Sequence, residues 1–143
     1  MVNYYIQKVN DPNLVKDFIL NSGNSVMTFR YFNNRSYNVI YNHLVTYLLY
    51  DDSGFPIGYG HLEFEGDKHW LGIAISEKYK GLGLGTKMIT KLIDFASEKK
   101  ILTIFLTVDV ENKNAINLYQ KCGFMNIDHL SESIQMMRLD LSL

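Results

Sequence analysis

The chain has 143 residues, 47% hydrophobic and 20% charged, with a formal net charge of −1. That length suits one compact domain over residues 1–143. The charge balance argues against a dedicated nucleic-acid binder, and no apolar run is long enough to span a bilayer.

The start MVNYYIQKVN lacks the pattern of a signal peptide. Cys122 is the only cysteine, so no internal disulfide can form, and a reducing, cytoplasmic location is expected. Residues 4–9, rich in β-branched and aromatic side chains, predict a first strand. Asp11-Pro12 predicts a helix start, with Asp as cap and Pro in the first turn, and the helix runs to about Asn21. Residues 22–42 hold a loop, the cluster Phe29-Arg30-Tyr31-Phe32 and a short helix from Ser36.

Residues 43–50 read as a strand. The turn cluster Asp51-Asp52-Ser53-Gly54 joins it as a hairpin to a strand over 56–64. A second turn at Glu65-Gly66-Asp67-Lys68 leads to a strand over 69–76. Residues 83–99 predict a long amphipathic helix, with Leu84, Met88, Leu92 and Phe95/Ala96 at helical spacing. Residues 102–108 are almost continuously apolar, as expected of a strand buried on both faces. A short helix over 114–122 ends at Gly123, and strands over 124–130 and 133–141 close the chain. The order predicts an α/β fold of the α+β type: a mixed, mostly antiparallel sheet of about six to seven strands with helices on both faces.

The most informative local feature is Lys80-Gly81-Leu82-Gly83-Leu84-Gly85, between a strand and a long helix. A helix start carries unpartnered N–H groups and a positive dipole end, which suits phosphate, and glycine lets the backbone approach closely. Three alternating glycines exceed what a tight turn needs. The nucleoside-triphosphate pattern G-x-x-x-x-G-K-[ST] fails, because Gly85 is followed by Thr86 and then Lys87. The dinucleotide pattern G-x-G-x-x-G fails as well, since its last glycine falls on Thr86 or Met88.

This segment resembles the [QR]-x-x-G-x-[GA] signature of the GNAT acetyltransferase superfamily, with Lys80 where the family has Gln or Arg. A second stretch, Asn112 to Phe124, resembles the family's N-x-x-A-x-x-x-Y-x-x-x-G-F through Asn112, Ala115, Tyr119, Gly123 and Phe124. The likeness is clear over about residues 57–130 and weak before residue 43.

The resemblance implies the GNAT fold, an N-acetyltransferase activity and acetyl-CoA as donor. It implies that the fourth and fifth strands splay, with pantetheine bonding to the backbone of Ile73, Ala74 and Ile75. Amides of Gly81, Leu82, Gly83, Leu84, Gly85 and Thr86 would hold the pyrophosphate, and Asn112 the pantetheine arm; Asn112 also suits helix capping. Tyr119 is the implied acid for the leaving thiolate, in a direct attack within a ternary complex. Thr107 stands where relatives acting on protein N-termini often carry Glu, which counts against a ribosomal-protein-type enzyme. Candidate bases are Asp109, on the strand face of Thr107, and His61 and Glu63, which share a face of the third strand; His69 opens the fourth.

Arg30, Tyr31 and Arg35 are the candidate acceptor-binding residues, suited to stacking a sugar or base and pairing with phosphate, as on a nucleotide-linked amino sugar. The expected partner is thus a small-molecule amine, without nucleic acid or membrane, and a homodimer is compatible with the family. The four His and one Cys show no ligand spacing, so no metal is expected. Three alternatives stay open: a protein or peptide amine as acceptor, a coenzyme-A-binding module without turnover, and a ping-pong route through Cys122. The last is disfavoured by the position of Cys122 on a core stripe with Ala115 and Leu118.

Overall fold

The computed structural model describes residues 2–23 and 29–142. Residues 24–28, inside the stretch expected to form a loop, lie outside the described residues. The elements are β1 (Tyr5–Lys8), α1 (Pro12–Asn21), a 3-10 turn (Tyr37–Asn42), β2 (Val45–Tyr50), β3 (Pro56–Glu65) and β4 (Lys68–Ile75). A second 3-10 turn (Glu77–Tyr79) precedes α2 (Leu84–Glu98), β5 (Thr103–Asp109), α3 (Lys113–Lys121), β6 (Met125–His129) and β7 (Ile134–Asp140).

Among the described residues, seven strands form one sheet in the order β1-β2-β3-β4-β5-β7-β6. All neighbours are antiparallel except β4 and β5. The parallel pair follows from the crossover through α2, and β7 returns between β5 and β6.

The helices start and stop where local chemistry dictates. Asp11 accepts from the Asn13 N–H at 3.0 Å with Pro12 in the first turn of α1, and Ser36 caps the first 3-10 turn through Asn38. Gly123, at φ +102°, ends the run after α3.

Alternation along β2 divides the core. Val45, Tyr47 and Leu49 pack with Met88, Ile89 and Leu92 of α2, whereas Leu48 and Tyr50 pack with Val15 and Phe18 of α1. The helices thus cover both faces, as expected. β5 departs from expectation: Ile104, Leu106 and Val108 are buried, but Thr107 is exposed and Thr103, Phe105 and Asp109 are half-buried. One face of this strand borders a cleft instead of a helix, so its continuous apolarity overstated its burial.

Candidate active site

The sheet opens where β4 leaves β5. β4 pairs with β3 from Lys68 to Ile75, but among the described residues its single pairing with β5 is Trp70–Phe105. Residues 71–75 therefore offer backbone groups along an edge without a neighbouring strand. The gap widens into a cleft of about 940 Å³ bordered by Ile73, Ala74 and Ile75 on β4, Thr107 on β5, and the starts of α2 and α3.

The glycines of the loop serve different ends. Gly81 and Gly83 have φ of +80° and +77°, a region that side chains resist, and open space lies where a Cβ would stand. Gly83 caps α2 with no side-chain bond to the first N–H groups, which leaves them available to an anion. Gly85 is already helical; a Cβ there would lie 2.7 Å from Leu118 Cδ2, so its bareness lets α2 begin close against α3. Gly81, Gly83, Leu84, Gly85 and Thr86 line the cleft, whereas the Leu82 side chain is 56% exposed. Lys80 pairs with Glu77 at 3.4 Å.

Asn112 and Tyr119 meet the same cleft from α3. The Asn112 Oδ1 accepts from the Ala115 N–H at 3.3 Å, so the carbonyl is committed to capping and the amide nitrogen is what remains for a ligand. Tyr119 is buried and packs edge-on against Phe124 at 5.8 Å. Burial pushes its phenol up, so it stays protonated. Cys122 packs against the core with Ala115 and Leu118, and burial pushes its thiol up too, away from the thiolate a nucleophile needs.

The opposite end of the cleft holds a buried polar network. Tyr59, His61 and Glu63 alternate along one face of β3, and the first 3-10 turn brings in His43. Tyr31 Oη donates to Glu63 Oε2 at 2.7 Å and also lies 2.7 Å from His43 Nε2. Because the single phenolic proton goes to Glu63, His43 Nε2–H donates to Tyr31, and Thr46 Oγ1–H donates to His43 Nδ1 at 2.8 Å. On the other side Tyr59 Oη donates to His61 Nδ1 at 2.6 Å, which leaves the His61 Nε2–H facing Glu63 Oε1 at 3.8 Å.

Both chains of donors end on one carboxylate. Burial opposes ionisation of Glu63, but the donors at His61 and Tyr31 outweigh it and hold the carboxyl at about 2. Burial, with the neighbouring His61, lowers His43 to about 3, and burial lowers His61 likewise. At neutral pH this network therefore carries one negative charge, on Glu63, between neutral imidazoles.

His43, His61 and Glu63 also bring possible metal-ligand atoms within 4.8 Å of one another, a grouping the sequence spacing gave no sign of. The imidazoles are stacked at 4.2 Å and 21°, and in the tautomers above both Nε2 atoms are donors. That arrangement suits a hydrogen-bonded relay better than a coordination sphere.

The remaining sequence candidates divide. Asp109 lines the cleft on the Thr107 face, but its carboxylate is held by Arg30 Nη2 at 2.9 Å. This pairing spends both the proposed base and one proposed phosphate ligand. Tyr31 is a member of the network rather than an exposed stacking platform, and Arg35 lies over its ring at 4.2 Å. His69 sits away from the cleft, against Phe64, in a small apolar recess with Leu44 and Phe95. Sequence reasoning missed His43, Thr46 and Tyr59. Period-two spacing could have found Tyr59, whereas His43 and Thr46 depend on the register that sets Thr46 opposite His61.

Known proteins share this architecture. The model of the acetyltransferase (GNAT) family matches residues 16–124. The chain is similar to the spermine/spermidine N(1)-acetyltransferase of Bacillus subtilis, 45% identical over 51 residues that make up 35% of this chain and 34% of that protein. It is also similar to N-alpha-acetyltransferase 30 of Saccharomyces cerevisiae, 28% identical over 135 residues, covering 87% and 70% of the two chains. Three of the curated relatives are matched over only 23%, 35% and 34% of their own length. Among solved structures, the PaiA N-acetyltransferase of Thermoplasma acidophilum in complex with coenzyme A superposes with a TM-score of 0.78 at 16% identity, over 97% of this chain and 99% of that one. At that identity the likeness establishes the fold.

Proposed function

This chain belongs to the acetyltransferase (GNAT) family, and on that premise we propose that it is an acetyl-CoA-dependent N-acetyltransferase acting on the primary amine of a small molecule. The observation that carries the reading is one cleft joining an unpaired β4 edge, a left-handed glycine loop at a helix start, and a buried protonated tyrosine.

These residues fit the donor. The β4 edge at Ile73, Ala74 and Ile75 suits the amides of a pantetheine arm, and the loop amides from Gly81 to Thr86 suit a pyrophosphate. Acetyl-CoA, when bound, supplies an activated thioester. A β4 N–H near the thioester would polarise its carbonyl, and the Tyr119 Oη–H would donate to the departing sulfur. Because burial raises that phenol, Tyr119 is suited to hold a hydrogen bond on the sulfur rather than to give its proton away.

The network at the other end suits the amine. Glu63 is a single fixed negative charge, well placed to receive an ammonium group. Its low proton affinity makes it an electrostatic receptor first, and a proton acceptor only once the attacking nitrogen has become strongly acidic. Relatives named as spermidine N(1)-acetyltransferases and as an N-alpha-acetyltransferase are in keeping with an amine acceptor. The segment carrying Arg30, Tyr31 and Arg35 covers the acceptor end, which favours a small acceptor. A nucleotide-linked amino sugar keeps Arg35 as a phosphate partner, but Arg30 is engaged by Asp109.

The test is titration calorimetry with acetyl-CoA, followed by thiol release with a panel of primary amines. Saturable acetyl-CoA binding with amine-dependent thiol release supports the reading. Failure of acetyl-CoA to bind would reject it.

A further inference from the structure

The charges left over in the cleft point to the chemical class of the acceptor. Among the described residues, Arg30 is neutralised by Asp109 at 2.9 Å and Lys80 by Glu77 at 3.4 Å. Glu63, Glu65 and Arg35 also line the cleft, and no oppositely charged Lys, Arg, Asp or Glu lies within ion-pair distance of them among the described residues. Glu63 and Arg35 sit at either end of one side chain. Tyr31 gives its Oη–H to Glu63 at 2.7 Å, and its ring carries the Arg35 guanidinium at 4.2 Å. Arg35 is fixed a second time by Nη1 donating to the Tyr31 carbonyl at 3.0 Å, and among the described residues its other N–H groups have no hydrogen-bond partner, so they can meet an anion.

We propose that the acceptor is a compact zwitterion, a primary amine with an oxyanion a few bonds away, its ammonium set on Glu63 and its anion on Arg35. Resting on the acetyl-transfer reading, this makes Arg35 a specificity-determining residue. Tyr31 serves as the spacer that sets the distance between the two charges. Glu65 is the one competing feature: it lies two residues beyond Glu63 on the same strand face and would favour a second cation instead. Both side chains are exposed, but among the described residues no contact holds the Glu65 carboxylate, whereas Arg35 is held by two. The field of Arg35 also reaches His43, His61 and Tyr59, so its charge is felt across the whole acceptor end.

The test uses matched acceptor pairs. α-Amino acids are set against the amines that lack their carboxylate, and aminoethyl phosphate against ethanolamine, which separates a carboxylate from a phosphate as the anion. With wild type, kcat/KM for the anionic member of at least one pair should exceed its partner by about 10-fold, the effect of one charge-assisted contact with an exposed but doubly held guanidinium. In Arg35→Gln that ratio should collapse to about one, and Arg35→Lys should restore part of it through KM. Equal or better turnover of uncharged-tail amines or diamines, or a ratio that survives Arg35→Gln, overturns the proposal. Should no amine turn over, the acetyl-transfer reading fails separately. Calorimetry then decides the pocket: zwitterion binding lost in Arg35→Gln supports it, and no zwitterion binding to wild type overturns it.

Discussion

Replacing Tyr119 by Phe removes one oxygen and almost nothing else. The ring keeps its edge-on contact with Phe124 at 5.8 Å, and no hydrogen bond from the hydroxyl to another described residue is lost. Stability should therefore change by less than about 0.5 kcal/mol, as at sites where no buried partner is orphaned. Catalysis should change more. A hydrogen bond to a developing thiolate is charge-assisted and worth roughly 1.5–3 kcal/mol, which is about 10- to 100-fold in kcat. The upper reach of general-acid catalysis, about 10⁴-fold, is not expected, because burial raises the phenol and makes full proton delivery costly. The assay is thiol release under saturating acetyl-CoA, with the acetyl-CoA Kd measured in parallel by calorimetry. The expected result is a lower kcat, an unchanged melting temperature and a Kd within about twofold of wild type. An unchanged kcat would refute the role assigned to Tyr119, and loss of acetyl-CoA binding would recast it as a binding residue.

Glu63→Gln removes the buried negative charge of the amine end, so the KM for the amine should rise by about 10-fold or more with acetyl-CoA affinity kept; an unchanged KM contradicts the ammonium site. Gly83→Ala forces a side chain to φ +77°, which costs about 1–2 kcal/mol and should weaken acetyl-CoA by displacing the loop amides. A melting temperature or Kd identical to wild type would show that the left-handed turn is dispensable. Acid stability follows from the buried histidine. His43 ordinarily titrates at 6.5 but is held at about 3 in the fold, so between those values the unfolded chain binds the extra proton. Stability therefore rises with pH across that window and is lost as pH falls through it, by on the order of 1 kcal/mol per pH unit. Glu63, held at about 2 against an ordinary 4.5, adds a loss of the same sign lower down. Urea midpoints at pH 7, 6 and 5 should fall less steeply for His43→Gln than for wild type; parallel slopes would contradict this assignment.

The glycine-loop and α3 side of the cleft was legible in the sequence because it is local. Gly81 to Gly85 and Asn112 to Tyr119 are each contiguous, and their positions fix a loop, a helix start and a facing helix without further information. The order of elements was legible for the same reason, and boundaries moved by a residue or two. The buried network around Glu63 was not legible, because it is made by register. Thr46 stands opposite His61, and Gly72 flanks His61 on the other side, where a Cβ would lie 2.5 Å from its ring. Neither spacing nor composition announces such neighbours. The same cause explains the reassignment of Arg30 and Asp109, which are 79 residues apart yet share one hydrogen bond. It also explains β5: its apolar run looked doubly buried until the parting of β4 left one face bordering a cleft.

Transfer of an acetyl group from acetyl-CoA to an amine is the activity proposed for this cleft. The most direct measurement is thiol release from acetyl-CoA across a primary-amine panel, with the acetylated product identified by mass spectrometry. The prediction is amine-dependent release matched one-to-one by acetylated amine, with Cys122 left unmodified. Acetyl-CoA that binds tightly while no amine raises thiol release, or an acetyl group that accumulates on Cys122, would contradict it.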